Sequence, residues 1–174
     1  MRIWVRHCLR PVGNMAIVPS AIADICQPHM DMLDLDSALS MIAGIRQAAR
    51  DQKMKPLAIA VLDIRGELKA MACENGVALK RGEFAITKAY GVMSMGMGPR
   101  ALAKRSRQKS GFAATVGEVI GRPLMDMPGS VLIRDESGVI VGAVGVSGES
   151  SENDEIAAVA GVVAAGFVAD LGED

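Results

Sequence analysis

Apolar side chains recur at helical spacing from the mid-thirties to about Asp51. Leu35, Ala38, Leu39, Ile42, Ile45 and Ala49 share one face, and Asp34 stands where a helix cap belongs. From residue 57 the pattern changes to a continuous apolar run, LAIAVLD, which meets a turn at Ile64-Arg65-Gly66 before a second strand starts at Glu67. That is a hairpin. Helical spacing returns over 80–97, with Ile86, Ala89, Tyr90, Met93 and Met97 as its stripe. Pro99 suits a first helical turn, so a third helix is predicted from near Gly98, breaking at Ser110-Gly111 and continuing to about Ile120. GRPLMDMPG (121–129) reads as a connecting loop, and a second hairpin follows: SVLIRD, a turn at Glu136-Ser137-Gly138, and VIVGAVGVS. A last helix is predicted over 151–171 with Ile156, Val159, Ala160, Val163, Ala164, Phe167 and Leu171 as its stripe, and Ser151 and Asp154 at capping-box spacing. Two hairpins separated by helices imply antiparallel pairing, so the expected class is α/β of the α+β kind: a small antiparallel sheet covered by helices.

Composition narrows this picture. The 174 residues suit one domain, and half of them are hydrophobic but only 3% aromatic, so small aliphatics and 12 methionines must fill the core. A net charge of −1 gives no electrostatic case for nucleic acid or an anionic membrane. The basic stretch from Arg100 to Lys109 reads as a solvated helix face, since no aromatics interleave to stack on bases. Cys8, Cys26 and Cys73 form no metal-ligand pattern and point to free thiols in a reducing compartment. Cys73 is expected to be a packed strand residue. No apolar run reaches transmembrane length, and Pro11, Gly13 and Asn14 interrupt any signal-like segment, so a cytoplasmic location is expected. Residues 1–30 lack periodicity and read as an arm ahead of a single domain over 31–174; Met15, Met30 and Met32 are alternative starts.

Candidate chemistry is sparse. The glycines of GAVGVSGESSENDEIAAV (142–159) suggest a phosphate cradle, but no Lys follows Gly148, and acidic residues open the next helix. Gly96-Met-Gly98-Pro-Arg-Ala101 matches a dinucleotide fingerprint only formally, because it follows a helix. The 142–148 glycines are expected to let a strand lie close beneath a helix, while donors of the turn, with Ser147, Gly148 and Ser150, are positioned to bind a polar group. In the second helix Arg81, Lys88 and Met95 lie on a face apart from the predicted core stripe, with Ala85 and Val92 along it. A helix apolar on two faces suggests a subunit interface. Cations on such a face mark either a functional site or salt bridges across a dimer, to Glu83 or to the acidic last helix. His7 and His29 both fall in the arm, there is no catalytic triad, and no metal site is expected.

The stretch GVIVGAVGVSGESSENDEIAAVAGVVAAG resembles the closing signature of the GlcG/HbpS-like family, also called haem-degrading or DUF336 proteins. LAIAVLDIRGELKAM is similar to that family's first hairpin, FAITKAYGVMSMG to its A-x-x-K-A helix, and MPGSVLIRDESG to its P-G-G-V-P-I strand, so the likeness spans roughly 33–170. The resemblance implies a profilin-like antiparallel sheet sandwiched by helices, assembly into homodimers or larger oligomers, and, in several relatives, haem. Haem needs an axial ligand; this sequence offers His29, Met30, Met32, Tyr90 and the Met93/Met95/Met97 cluster, and no His after residue 29.

Three functions follow as expectations. One is a binding module holding haem or a carboxylate-bearing metabolite near a subunit interface, with Arg81, Lys88, Ser147, Gly148, Ser150 and His29 as its contacts. Another is a hydrolase or isomerase of small organic acids, with Lys88 as base and Asp154 or Glu155 handling water or a proton. The third is a structural subunit without a ligand.

Overall fold

The computed structural model describes residues 33–172, which belong to one unit, Asp31–Asp174. Its elements run α1 (Leu35–Asp51), β1 (Ala58–Asp63), β2 (Leu68–Cys73), α2 (Arg81–Met95), α3 (Pro99–Gln108), α4 (Phe112–Ile120), β3 (Ser130–Arg134), β4 (Ile140–Ser147), α5 (Ser151–Ala164) and β5 (Val168–Asp170). The strands form one antiparallel sheet in the order β2-β1-β4-β3-β5. This is the α+β sandwich expected from the two hairpins, and the hairpin turns fall where Gly66 and Gly138 adopt positive φ.

Strand alternation assigns the two faces different jobs. Ile59, Val61, Val131, Ile133, Val144 and Val146 point to one side and pack with α1 and α5 in the main core. Ala58, Ala60, Leu62, Leu132 and Ala143 point to the other, beneath α2 and its neighbours. Near β4 this second face carries only small residues, so a helix can lie almost on the backbone. At Gly145 a side chain has no room, because its Cβ would fall on the Ala85 carbonyl of α2.

That close seating reverses one expectation. The α2 face bearing Ala85, Lys88 and Val92 is the one buried against the sheet, along with Gly82, Ala89 and Gly91. The predicted stripe of Ile86, Tyr90 and Met93 is only half-buried at the margin, where Arg122 lies 4.6 Å over the Tyr90 ring. Small residues mark the contact here, because they bring the backbones together; the larger ones flank it.

The same rule shifts the stripe of α5. Ala157, Ala158, Gly161 and Val162 are buried, while Ile156 and Val163 are exposed. A Cβ at Gly161 would strike Ile45 and the Met41 carbonyl of α1. In α1, likewise, Leu35 and Leu39 are exposed, and Met41 is fully buried in their stead.

The predicted helix over 151–171 is too long. It stops at Ala164, with Gly166 at φ 84°, the Gly166 amide donating to the Val163 carbonyl and that of Phe167 to Val162. Such a left-handed glycine satisfies the last carbonyls and turns the chain, which then forms β5 along β3. Asp170 there accepts from Arg134 Nε at 2.8 Å. The helix starts at Ser151 as expected, but its N-cap is Ser150, whose hydroxyl accepts from the Asn153 amide, one residue before the expected Ser151. Cys73 ends β2 exposed, not packed. Asp34 caps α1 as expected, accepting from the Ser37 amide at 2.6 Å.

Two acidic groups tie the loops to the sheet. Burial pushes the Asp63 carboxyl up, but hydrogen bonds from the Arg65 side chain and from the Glu67 and Arg65 amides outweigh it and hold the group below its usual range. Glu74 behaves alike: burial raises it, and the Leu57 amide and Arg46 bring it down further. Their folded values lie below the ordinary 3.8 and 4.5, so both groups stabilise the fold above those pH values and cease to do so as pH falls through the lowered ones. Glu74→Gln is therefore expected to shallow the loss of stability as pH falls below 4.5, measured by urea unfolding at descending pH.

Candidate functional site

The ends of β4 and α2 meet where the small-residue face of the sheet runs out. Arg81, Phe84 and Lys88, at i, i+3 and i+7, project from one side of α2. With Met125, Met127, Ser147, Glu149, Ser151 and Asp154 they line a cavity of about 230 Å³. Arg81 is partly buried and donates from Nη1 to the Ser147 hydroxyl at 3.3 Å. Among the described residues it meets no carboxylate. Ser147 is fully buried at the last position of β4.

Lys88 forms the floor. Its ammonium donates to the Val146 carbonyl at 3.1 Å and to Asp154 Oδ2 at 3.3 Å, with side-chain exposures of 3% for Lys88 and 1% for Asp154. Asp154 Oδ1 accepts from the Glu149 amide at 3.0 Å, which fixes the carboxylate in the first turn of α5. Gly129, at φ 109°, packs beside the ammonium: a Cβ there would collide with Lys88 Nζ. Burial pushes the Lys88 pKa down, the Asp154 charge and hydrogen bond pull against that, and the Arg81 charge adds to the depression.

Not every expected residue meets this cavity. Gly148 sits against Pro56 and Leu57, where a Cβ would strike the Pro56 carbonyl. Ser150 is spent on the helix cap, and its neighbour Ser151 lines the cavity in its place. Glu155 turns away to accept from Arg100 Nη2 at 2.7 Å, leaving its Oε2 buried without a hydrogen-bond partner. His29, Met30 and Met32 lie outside the described residues. Tyr90, Met93, Met95 and Met97 do not line the cavity. The sequence reading missed Phe84, which helical spacing one turn after Arg81 would have found; Met125 and Met127 come from a loop with no periodic signal. The salt bridge expected across a dimer is made within the chain instead, where Lys88 meets Asp154 of the last helix.

An antiparallel sheet between two helical layers, with a cation-bearing cavity at one end, defines the class. The chain belongs to the family described as haem degrading protein HbpS-like, whose model matches residues 33–163. Among solved structures it is similar to the PduOC:heme complex (TM-score 0.69, 16% identity, covering 82% of this chain and 99% of that one). It is also similar to the DUF336 protein ORFY of Klebsiella pneumoniae (0.70, 17%, 81% and 95%) and to a double mutant of Streptomyces reticuli HbpS (0.66, 24%, 90% and 97%). These likenesses show the fold. No curated protein sequence matches. No helix among the described residues is long and apolar enough to cross a membrane.

Proposed function

We propose that this protein binds a small carboxylate-bearing compound in the Arg81–Lys88 cavity. The observation that carries this reading is Arg81: a guanidinium on a partly buried wall that, among the described residues, engages a serine hydroxyl and no carboxylate. A guanidinium fork suits a carboxylate, and Ser147 holds it in place without neutralising it. Lys88 contributes less charge, since Asp154 already answers it.

The haem complex of a structural relative raises the question of a tetrapyrrole. The cavity, at about 230 Å³, lies below the ~300–1,000 Å³ of pockets that enclose drug-sized ligands. Among the described residues, Met125 and Met127 are the common axial ligands that line it. The cavity therefore fits a short organic acid, or one propionate arm, and not an enclosed macrocycle. Phe84 and Met127 stand exposed at its rim; a second copy of the chain seated there would close the mouth, in keeping with the homo-oligomer that the family resemblance implies.

Titration calorimetry with a series of short mono- and dicarboxylates tests the reading. Arg81→Gln is expected to weaken binding by roughly 10- to 150-fold, the ~1.5–3 kcal/mol of a hydrogen bond to a charged group. Equal affinity in the variant, or no binding in the series, would overturn it. A saturable Soret shift on adding haem, lost in Arg81→Gln, would identify the carboxylate as a propionate and require the ring to lie outside the cavity.

A further inference from the structure

A lysine buried beside a carboxylate is a poor way to stabilise a fold, because desolvation commonly consumes what the pair regains. Lys88 and Asp154 are paired in this way on the floor of a cavity, and the surroundings preserve the arrangement. The Glu149 amide pins one oxygen of Asp154, the Val146 carbonyl and the other oxygen take two of the ammonium's donors, and Gly129 leaves open the space that the ammonium fills. Lys88 lines the same cavity as Arg81. A desolvated lysine with a fixed proton acceptor is the recurrent form of an amine nucleophile toward carbonyl compounds.

We infer that the cavity takes a 2-oxo acid, and that Lys88 forms an imine with its carbonyl carbon. The inference rests on the carboxylate-binding reading and adds the chemistry of the atom beside the carboxylate. Arg81 would hold the carboxylate and present the adjacent carbonyl to Lys88. The ammonium first passes a proton to Asp154. The neutral nitrogen then adds to the carbonyl carbon, and the carbonyl π pair moves to oxygen, which takes that proton. Asp154 next removes a proton from the attached nitrogen and returns it to the hydroxyl, which leaves as water while the nitrogen lone pair closes the C=N bond. An ammonium and a ketone become a protonated imine and one water, with no oxidant, reductant or further reactant. Asp154 ends as the carboxylate it began as. Burial, which disfavours the ammonium, favours the first step.

The test uses the full chain at pH 7.5 with pyruvate and sodium borohydride, which reduces an imine to a stable secondary amine. Peptide mapping by mass spectrometry then reads the labelled lysine. One reduced pyruvyl group on Lys88 is expected, exceeding by about tenfold the label on Lys55, whose side chain is 75% exposed, because the bound acid is held beside the Lys88 nitrogen. Lactate, which has the carboxylate but no carbonyl, is expected to compete with labelling and to leave no adduct itself. Arg81→Gln should lower the Lys88 label about tenfold and leave the Lys55 background unchanged. If pyruvate and lactate both bind with dependence on Arg81 while Lys88 labels no more than Lys55, the imine is wrong and the carboxylate site stands. If neither acid binds and Lys88 is unlabelled, both fail.

Discussion

Asp154→Ala is expected to destabilise the protein by about 3–5 kcal/mol, because it leaves the Lys88 ammonium buried with a carbonyl as its remaining partner. The variant also frees the Glu149 amide that Asp154 accepts from, so the turn between β4 and α5 loses its tether. Removing both charges is a different experiment. In Lys88→Met/Asp154→Leu no buried charge is orphaned, and stability should return to within about 1 kcal/mol of the parent or exceed it. Urea unfolding of the parent, Asp154→Ala and the double variant checks both statements. A double variant as unstable as the single one would mean that the tether, not the charge, governs the site.

The same pair predicts an alkaline signature. Lys88 has a folded pKa below its ordinary 10.5, so in the interval between the two the unfolded chain binds the extra proton and stability rises with pH. The cost of the buried ammonium is thus greatest at neutral pH and is relieved as pH climbs towards 10.5. Relative to the parent, the double variant should lack this upward slope.

Gly145→Ala is the second large effect, at about 3 kcal/mol. No backbone strain enters, since Gly145 does not adopt a positive φ; the added methyl would meet the Ala85 carbonyl, a backbone atom that cannot swing aside. The helix must lift, and with it Arg81 and Lys88, so carboxylate binding should weaken together with stability. Gly138→Ala is the contrasting control. Its φ is 87° but nothing crowds it, so it should cost about 1–2 kcal/mol and leave binding intact. Thermal unfolding and calorimetry on the two variants separate the cases; a Gly145→Ala protein of parental stability and affinity would show that α2 is not seated through that contact.

How far the chain could be read before its structure depends on which residues carry the signal. The hairpins were plain, because LAIAVLD and VIVGAVGVS are bounded by turns that only glycine takes easily. Helix existence was plain as well; helix orientation was not. In α2 and α5 the largest side chains mark the flank, and Gly82, Ala85, Ala157, Ala158 and Gly161 mark the contact. Periodicity read from bulk is then rotated, since a close approach of backbones is bought with the absence of side chains. The end of α5 was misplaced for a related reason: Phe167 and Leu171 continue the helical spacing, and nothing in spacing reveals that Gly166 turns left-handed and sends the chain to pair with β3.

The sequence by itself determined the class of fold, the order of its elements up to the last helix, and the family to which the chain belongs. It also singled out Arg81 and Lys88 as cations out of place on a helix face, because local rules of charge and spacing suffice for that. Only the tertiary structure decided that this face lies against the sheet, that Asp154 of the same chain answers Lys88, and that Glu155, one residue further, pairs with Arg100. Adjacent helical residues point about 100° apart, so which of two acidic neighbours meets a distant lysine depends on how two helices sit on a common sheet, and that is a property of packing.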